Sequence, residues 1–199
     1  IELFLPLPDG SILGTVGSYQ GAFRYYPAEG KLDYFGKHGP SGAVGLVLAG
    51  KAYFYGYPNV NMWEYDPAQP WNSRYKDAHA RAGKPVTNPW LIGYFGQTVT
   101  EAHHSRYISV GPNGRLYILG HRERWSTGSG LGYYEFATKK KFGLGQAMKE
   151  IEPRGLVVLP KPGRVIVSGE LRGEPKDAAG KPAPAELRVY DLDLNEDCR

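Results

Sequence analysis

Short apolar runs alternate with turn residues along the chain, and the same order of runs recurs four times. A glycine-containing turn precedes a β-rich run at Asp9-Gly10-Ser11-Ile12-Leu13, Ala49-Gly50 to Gly56, Asn113-Gly114 to Gly120 and Pro162-Gly163 to Gly169. Three of these keep the same glycine-to-glycine spacing. Each is preceded by another apolar run: Leu3-Phe4-Leu5, Val44–Leu48, Tyr107–Val110 and Leu156–Leu159. Two apolar runs joined by a turn glycine predict a hairpin, because glycine supplies the positive φ that a tight turn needs. A third run ends in a tyrosine motif at Phe23–Pro27, Met62–Pro67, Leu131–Phe136 and Leu187–Leu192. A fourth run follows at Leu32–Phe35, Trp90–Phe95 and Lys141–Leu144, whereas the fourth repeat is expected to run out after its third strand.

A unit of strand, tight turn, strand, loop, strand, turn and strand is the pattern of a four-stranded propeller blade. The expected fold is therefore all-β: a propeller arc of about four blades within one domain, residues 1–199, with blades near 1–36, 37–96, 97–145 and 146–199. A β-sandwich also has evenly spaced short strands, but it does not require the turn-strand-tyrosine sequence to recur. Two repeats carry insertions, Pro70–Pro89 and Leu171–Pro184. Helical patterning is weak, with one turn or a linker expected at Gly145–Ile151.

The runs Gly114-Arg115-Leu116-Tyr117 and Tyr65-Asp66-Pro67 resemble the blade motifs of bacterial Kelch-like and SMP-30-like propellers. That resemblance implies the fold and no particular activity. It also implies a ring of six to eight blades, so further blades or a second chain are expected to close it. The chain begins at Ile1 rather than methionine, which adds to the expectation of more sequence ahead of it.

Composition narrows the picture further. The 41% hydrophobic share supports a packed core, and 27 glycines with 16 prolines suit a chain full of turns. The 15 tyrosines favour strands, where the ring packs and the hydroxyl finds a polar partner. A net charge of +4 would draw in an acidic ligand, but acidic residues are mixed among the basic ones, so nucleic acid is not expected. The single cysteine, Cys198, excludes an intrachain disulfide and any Cys-based zinc site. No apolar stretch reaches membrane-spanning length. Localisation is not fixed by these features, and the expectation leans to the bacterial periplasm or exterior. Phosphate-loop, dinucleotide and nucleophile-elbow motifs are all missing.

Chemistry-bearing residues gather in the loops. In a blade, the loop leading into the first strand and the loop between the second and third strands share one face, where propellers usually bind ligands. On that face fall His38, Tyr57, Asn59, Asn61, His103, His104, His121, Arg122, Arg124 and Trp125; the remaining histidine, His79, lies in the first insertion. In one reading the face binds a polar, anionic or carbohydrate-like ligand. Arg122 and Arg124 would hold a carboxylate, Trp125 and Tyr57 would stack on sugar faces, Asn59 and Asn61 would bond hydroxyls, and His38 would lie beside them. In a second reading His103, His104 or His121 is catalytic, taking a proton beside a uronate carboxylate in a lyase or hydrolase. Some polysaccharide lyases are propellers with His, Tyr and Arg at the mouth, and this chain is compatible with that chemistry without carrying their motif. A third reading has these histidines, with Glu101 or Glu123, hold a divalent metal, although neighbouring residues on a strand point to opposite faces. A fourth is a protein-interaction scaffold with no small ligand.

Overall fold

The turn glycines do what the repeat predicts: Gly10, Gly50, Gly114 and Gly163 have φ of 82°, 81°, 69° and 83°, a region closed to most side chains. The structure, a computed structural model, describes residues 3–16, 21–36, 42–57, 59–96, 102–121, 128–148, 151–171 and 185–198. They form four antiparallel sheets of four strands, each paired in simple chain order. The first comprises β1 (Leu3–Pro6), β2 (Ile12–Thr15), β3 (Ala22–Tyr26) and β4 (Lys31–Tyr34). The second comprises β5 (Val44–Leu48), β6 (Lys51–Gly56), β7 (Asn61–Tyr65) and β8 (Trp90–Tyr94). The third comprises β9 (His104–Val110), β10 (Arg115–His121), β11 (Ser129–Glu135) and β12 (Lys140–Met148). The fourth comprises β13 (Ile151–Leu159), β14 (Arg164–Leu171), β15 (Ala185–Asp191) and β16 (Glu196–Cys198).

Three expectations need correction. The fourth repeat does not stop at its third strand, because β16 pairs with β15 through Val189–Cys198 and Tyr190–Glu196. The described part of Gly145–Ile151 is strand rather than a helical turn: β12 continues to Met148 opposite Ser129, and β13 begins at Ile151 opposite Leu171. Pairing to distant strands overrides a weak local preference here. The first insertion instead holds a short helix, α1 (Tyr75–Ala80).

The chain divides into two compact units, 1–94 and 95–199. In the first unit β1 lies beside β5, and Leu3, Leu5, Leu7 and Leu13 bury against Ala52, Phe54, Trp63, Tyr65 and Leu91. In the second unit β9 lies beside β13, and Tyr117, Leu119, Leu131 and Tyr133 bury against Val165, Val167 and Tyr190. Each large side chain taken fully from water contributes about 1.5–3 kcal/mol. Trp63 and Phe54, both wholly buried, stack at 6.5 Å between ring centroids.

Arginines join neighbouring sheets at the tight-turn end. Arg24, 7% exposed, donates from Nη1 to the Tyr65 hydroxyl and the Pro67 carbonyl, both at 2.9 Å. Its Nε donates to Ser11 Oγ at 2.8 Å, and its Nη2 pairs with Asp9. In the second unit Arg115 Nη1 donates to the Leu192 carbonyl at 2.8 Å, and the Tyr117 hydroxyl donates to the same oxygen at 2.6 Å. Partial burial works against the Arg115 charge, but hydrogen bonds to Asp193 and Glu135 outweigh it and hold the guanidinium above its ordinary pKa.

The recurrent glycine spacing also has a structural cause. At Gly120 an added Cβ would sit 2.3 Å from the His104 carbonyl oxygen, and at Gly169 it would sit 2.6 Å from that of Glu152. Both glycines lie where the first strand of their sheet shifts register, which brings backbone too close for any side chain.

Candidate functional site

The predicted histidines of the second unit come together. His104 is the first residue of β9 and His121 the last of β10, and they face each other in register. They are therefore strand-end residues rather than loop residues. Their rings stack with centroids 4.7 Å apart and planes 14° from parallel. His103 lies just before β9, and its ring meets His104 edge-on at 5.0 Å. The bend before the strand frees it from the alternation that would have sent it to the opposite face. The His103 backbone N–H donates to the His121 carbonyl at 2.9 Å, fixing the segment against β10.

The register extends the row outward. Ser129 on β11 pairs with His121, and Met148 on β12 pairs with Ser129. Ser129 and Met148 are fully buried, His121 is 6% exposed, and His104 is half-buried. The row thus runs from a dry end on β12 to an end on β9 that solvent reaches. Ser105, 3% exposed, follows His104 on β9, so strand alternation directs its side chain away from the row. The hydroxyls of Ser105 and Ser129 have no hydrogen-bond partner among the described residues. Buried hydroxyls rarely stay unpaired, so water or a ligand group is the usual partner. Sequence reasoning missed Ser129, since its place in register with His121 appears only once the strand pairing is known.

Chemically, the row offers imidazole nitrogens and hydroxyls that can donate or accept. Two imidazolium charges 4.7 Å apart would repel by about 3.5 kcal/mol at an effective dielectric of 20, so a bound anion would favour protonation of the stack. Among the described residues no three His, Cys, Asp or Glu side chains are placed to share a metal ion. Glu101 and Glu123, the carboxylates proposed for that role, lie outside the described residues, as do His38, Arg122, Arg124 and Trp125.

In the first unit Tyr57 and Asn59 belong to the connection between β6 and β7, and Asn61 is the first residue of β7. Asn61 is 1% exposed; its Oδ1 accepts from Trp63 Nε1 at 2.9 Å and its Nδ2 donates to the Tyr57 carbonyl at 3.2 Å. Its amide thus holds the loop and the core tryptophan together. Asn59 and Val60 have φ of 60° and 48°, and a positive φ is costly for a β-branched residue. The Asn59 Oδ1 is buried and has no partner among the described residues. His79, in α1, packs edge-on to Trp63 at 5.5 Å, and its Nδ1 shares a hydrogen bond with the Tyr94 hydroxyl. Burial lowers the His79 pKa below its ordinary value. Nearby, an open groove of about 610 Å³ is lined by Tyr34, Phe35, Trp71 and Arg74, with Phe35 stacked on Trp71 at 4.1 Å.

Similar solved structures include hydrazine synthase of Kuenenia stuttgartiensis, at 10% identity and a TM-score of 0.63, covering 94% of this chain and 50% of that one. The tricorn protease matches at 13% identity and 0.55, covering 95% of this chain and 17% of its own. TolB from Acinetobacter baumannii matches at 11% and 0.50, covering 97% and 41%. The fold is propeller-like. The chain spans half or less of the length of these three proteins, and at such identities the likeness extends to fold alone. No protein-family model matches the chain, and no curated protein matches it. Among the described residues no helix is long and apolar enough to cross a membrane.

Proposed function

We propose that this propeller-like chain is a binding domain for a polar, anionic or carbohydrate-like ligand, held at the loop-bearing end of the third sheet. The observation that carries this reading is the convergence of His103, His104 and His121, with the buried Ser129 hydroxyl in register with His121. Arg122, Arg124 and Trp125 follow His121 directly in the sequence. Arginine can bind a carboxylate through two parallel hydrogen bonds, and tryptophan offers a flat apolar face to a sugar ring. The likeness of the blade motifs to Kelch-like and SMP-30-like propellers belongs with this reading.

The test is a broad array of acidic and neutral glycans, followed by titration calorimetry of each hit. His104→Ala and the pair Arg122→Ala/Trp125→Ala should each weaken binding at least tenfold, about 1.4 kcal/mol. Unchanged affinity in both variants would refute the site. The histidine convergence also suits the second reading, a lyase with an imidazole base. That reading requires an unsaturated product absorbing in the near ultraviolet, lost in His104→Ala. A protein-interaction scaffold is the remaining reading, and it predicts no glycan hit at all.

A further inference from the structure

The first unit carries a groove of about 610 Å³ between the end of β4 and the segment that leads into α1. Every described residue lining it belongs to that unit. Phe35 and Trp71 are both half-buried in this lining, stacked 4.1 Å apart with planes 3° from parallel. Two further contacts fix the indole. It packs on the buried Tyr65 at 5.3 Å between ring centroids, and its Nε1 donates to the Ser73 carbonyl at 3.2 Å. Flat rings held in this way offer apolar surface to a ligand and lose little freedom when it binds.

Asn72, Ser73 and Arg74 share the lining. Ser73 is 6% exposed, and its hydroxyl has no hydrogen-bond partner among the described residues. A buried hydroxyl left so is costly unless water or a ligand group answers it. Asn72 Oδ1 accepts from the Asn88 backbone N–H at 2.7 Å, which orients the amide and leaves its Nδ2 hydrogens as donors. Arg74 is exposed, and it is the one charged residue of the lining among the described residues. Its guanidinium forms no ion pair with any of them.

We infer that this groove is a second ligand site, independent of the histidine row, and that its ligand is an acidic sugar, a uronate unit. Each part of the lining meets one part of such a ligand. The stacked rings take the apolar C–H face of the sugar ring. The Ser73 hydroxyl and the Asn72 amide take ring hydroxyls. The Arg74 fork takes the carboxylate through two parallel N–H···O bonds. A neutral apolar ligand would leave both the guanidinium and the buried hydroxyl unanswered. The charge of the groove therefore selects an anion, and the paired rings select one with a flat face.

The experiment follows the indole N–H resonances of the four tryptophans in the full chain. Trimers of galacturonate, glucuronate and mannuronate are added in turn, and Trp71→Phe assigns the Trp71 signal by its loss. At least one trimer should shift that signal saturably. Its neutral methyl ester should bind at least tenfold more weakly. Arg74→Gln should lose the same factor toward the acid and nothing further toward the ester. Arg74 is exposed, so the circular dichroism of this variant should match that of the wild type. Phe35→Leu, which keeps an apolar side chain but removes a flat face, should weaken acid and ester alike. The inference is overturned if no trimer moves the Trp71 signal, or if Arg74→Gln binds the acid as tightly as the wild type. Equal binding of acid and ester overturns it as well. His104→Ala, in the other unit, should leave the Trp71 response intact, and Arg74→Gln should leave the histidine ring signals unchanged. The two sites therefore succeed or fail separately.

Discussion

Replacing Arg24 by methionine tests whether a buried arginine sets the stability of the first unit. Methionine keeps an apolar stem of similar length and removes every donor. The Tyr65 hydroxyl and the Pro67 carbonyl lose their 2.9 Å partners; Tyr65 is only 1% exposed, so water cannot readily replace the arginine at its hydroxyl, whereas the half-buried Pro67 carbonyl is reached by water more easily. Each buried group left unpaired costs about 1–3 kcal/mol. Ser11 Oγ loses Arg24 Nε but keeps its 2.6 Å bond to Asp9, which limits the loss there. The Arg24–Asp9 pair adds little, because the Asp9 side chain is 45% exposed and solvent screens it. Recovered desolvation of the guanidinium offsets part of the loss, leaving about 2–4 kcal/mol. With a urea m-value of about 1–3 kcal/mol/M, the midpoint should fall by on the order of 1–2 M. Emission from Trp63, Trp71 and Trp90 follows the transition in this unit. Tyr65→Phe should cost less in the Arg24→Met background than in the wild type, because the two side chains share one hydrogen bond. A loss below about 1 kcal/mol, or strictly additive effects, would refute the assignment.

Two further outcomes are expected. Gly120→Ala should destabilise the second unit and broaden or shift the histidine ring resonances, because its Cβ would meet the His104 backbone oxygen at 2.3 Å; Gly114→Ala, where nothing lies within 4 Å of the added Cβ, should leave those resonances in place. Burial lowers the His79 pKa in the folded state, so the unfolded chain takes up the proton first as pH falls. The stabilisation is therefore complete above about 6.5, the ordinary histidine value, and is lost as pH falls through and below it. Urea midpoints at pH 7.5 and 5.5 should show this drop in the wild type, and His79→Phe should flatten it.

The hairpins were legible because turn glycines and alternating apolar residues are local signals. The fourth strand of the last sheet was not, since Glu196-Asp197-Cys198 has no apolar face and owes its place to pairing with Val189 and Tyr190. The first stretch of β13 was hidden by Pro153, which argues against a strand unless a register shift accommodates it, as one does between Pro153 and Gly155. Grouping of His103, His104 and His121 could be read from the repeat frame, because the frame fixes which strand ends share a side. Their stacking, and the place of Ser129 opposite His121, depend on register across three strands and carry no local signature. The arginine contacts were equally hidden: Arg24 lies on a third strand and Arg115 on a second, yet both reach the same kind of carbonyl.

That last feature bears on how such a chain can change over time. A carbonyl acceptor belongs to the backbone, so its identity survives any substitution that keeps the turn; proline serves in one sheet and leucine in another. Only the donor is written in the side chains. A duplicated sheet would therefore arrive already able to receive its predecessor, and one arginine at either of two positions would complete the join. Sheets can then diverge in their other loops while the seam between them still fits.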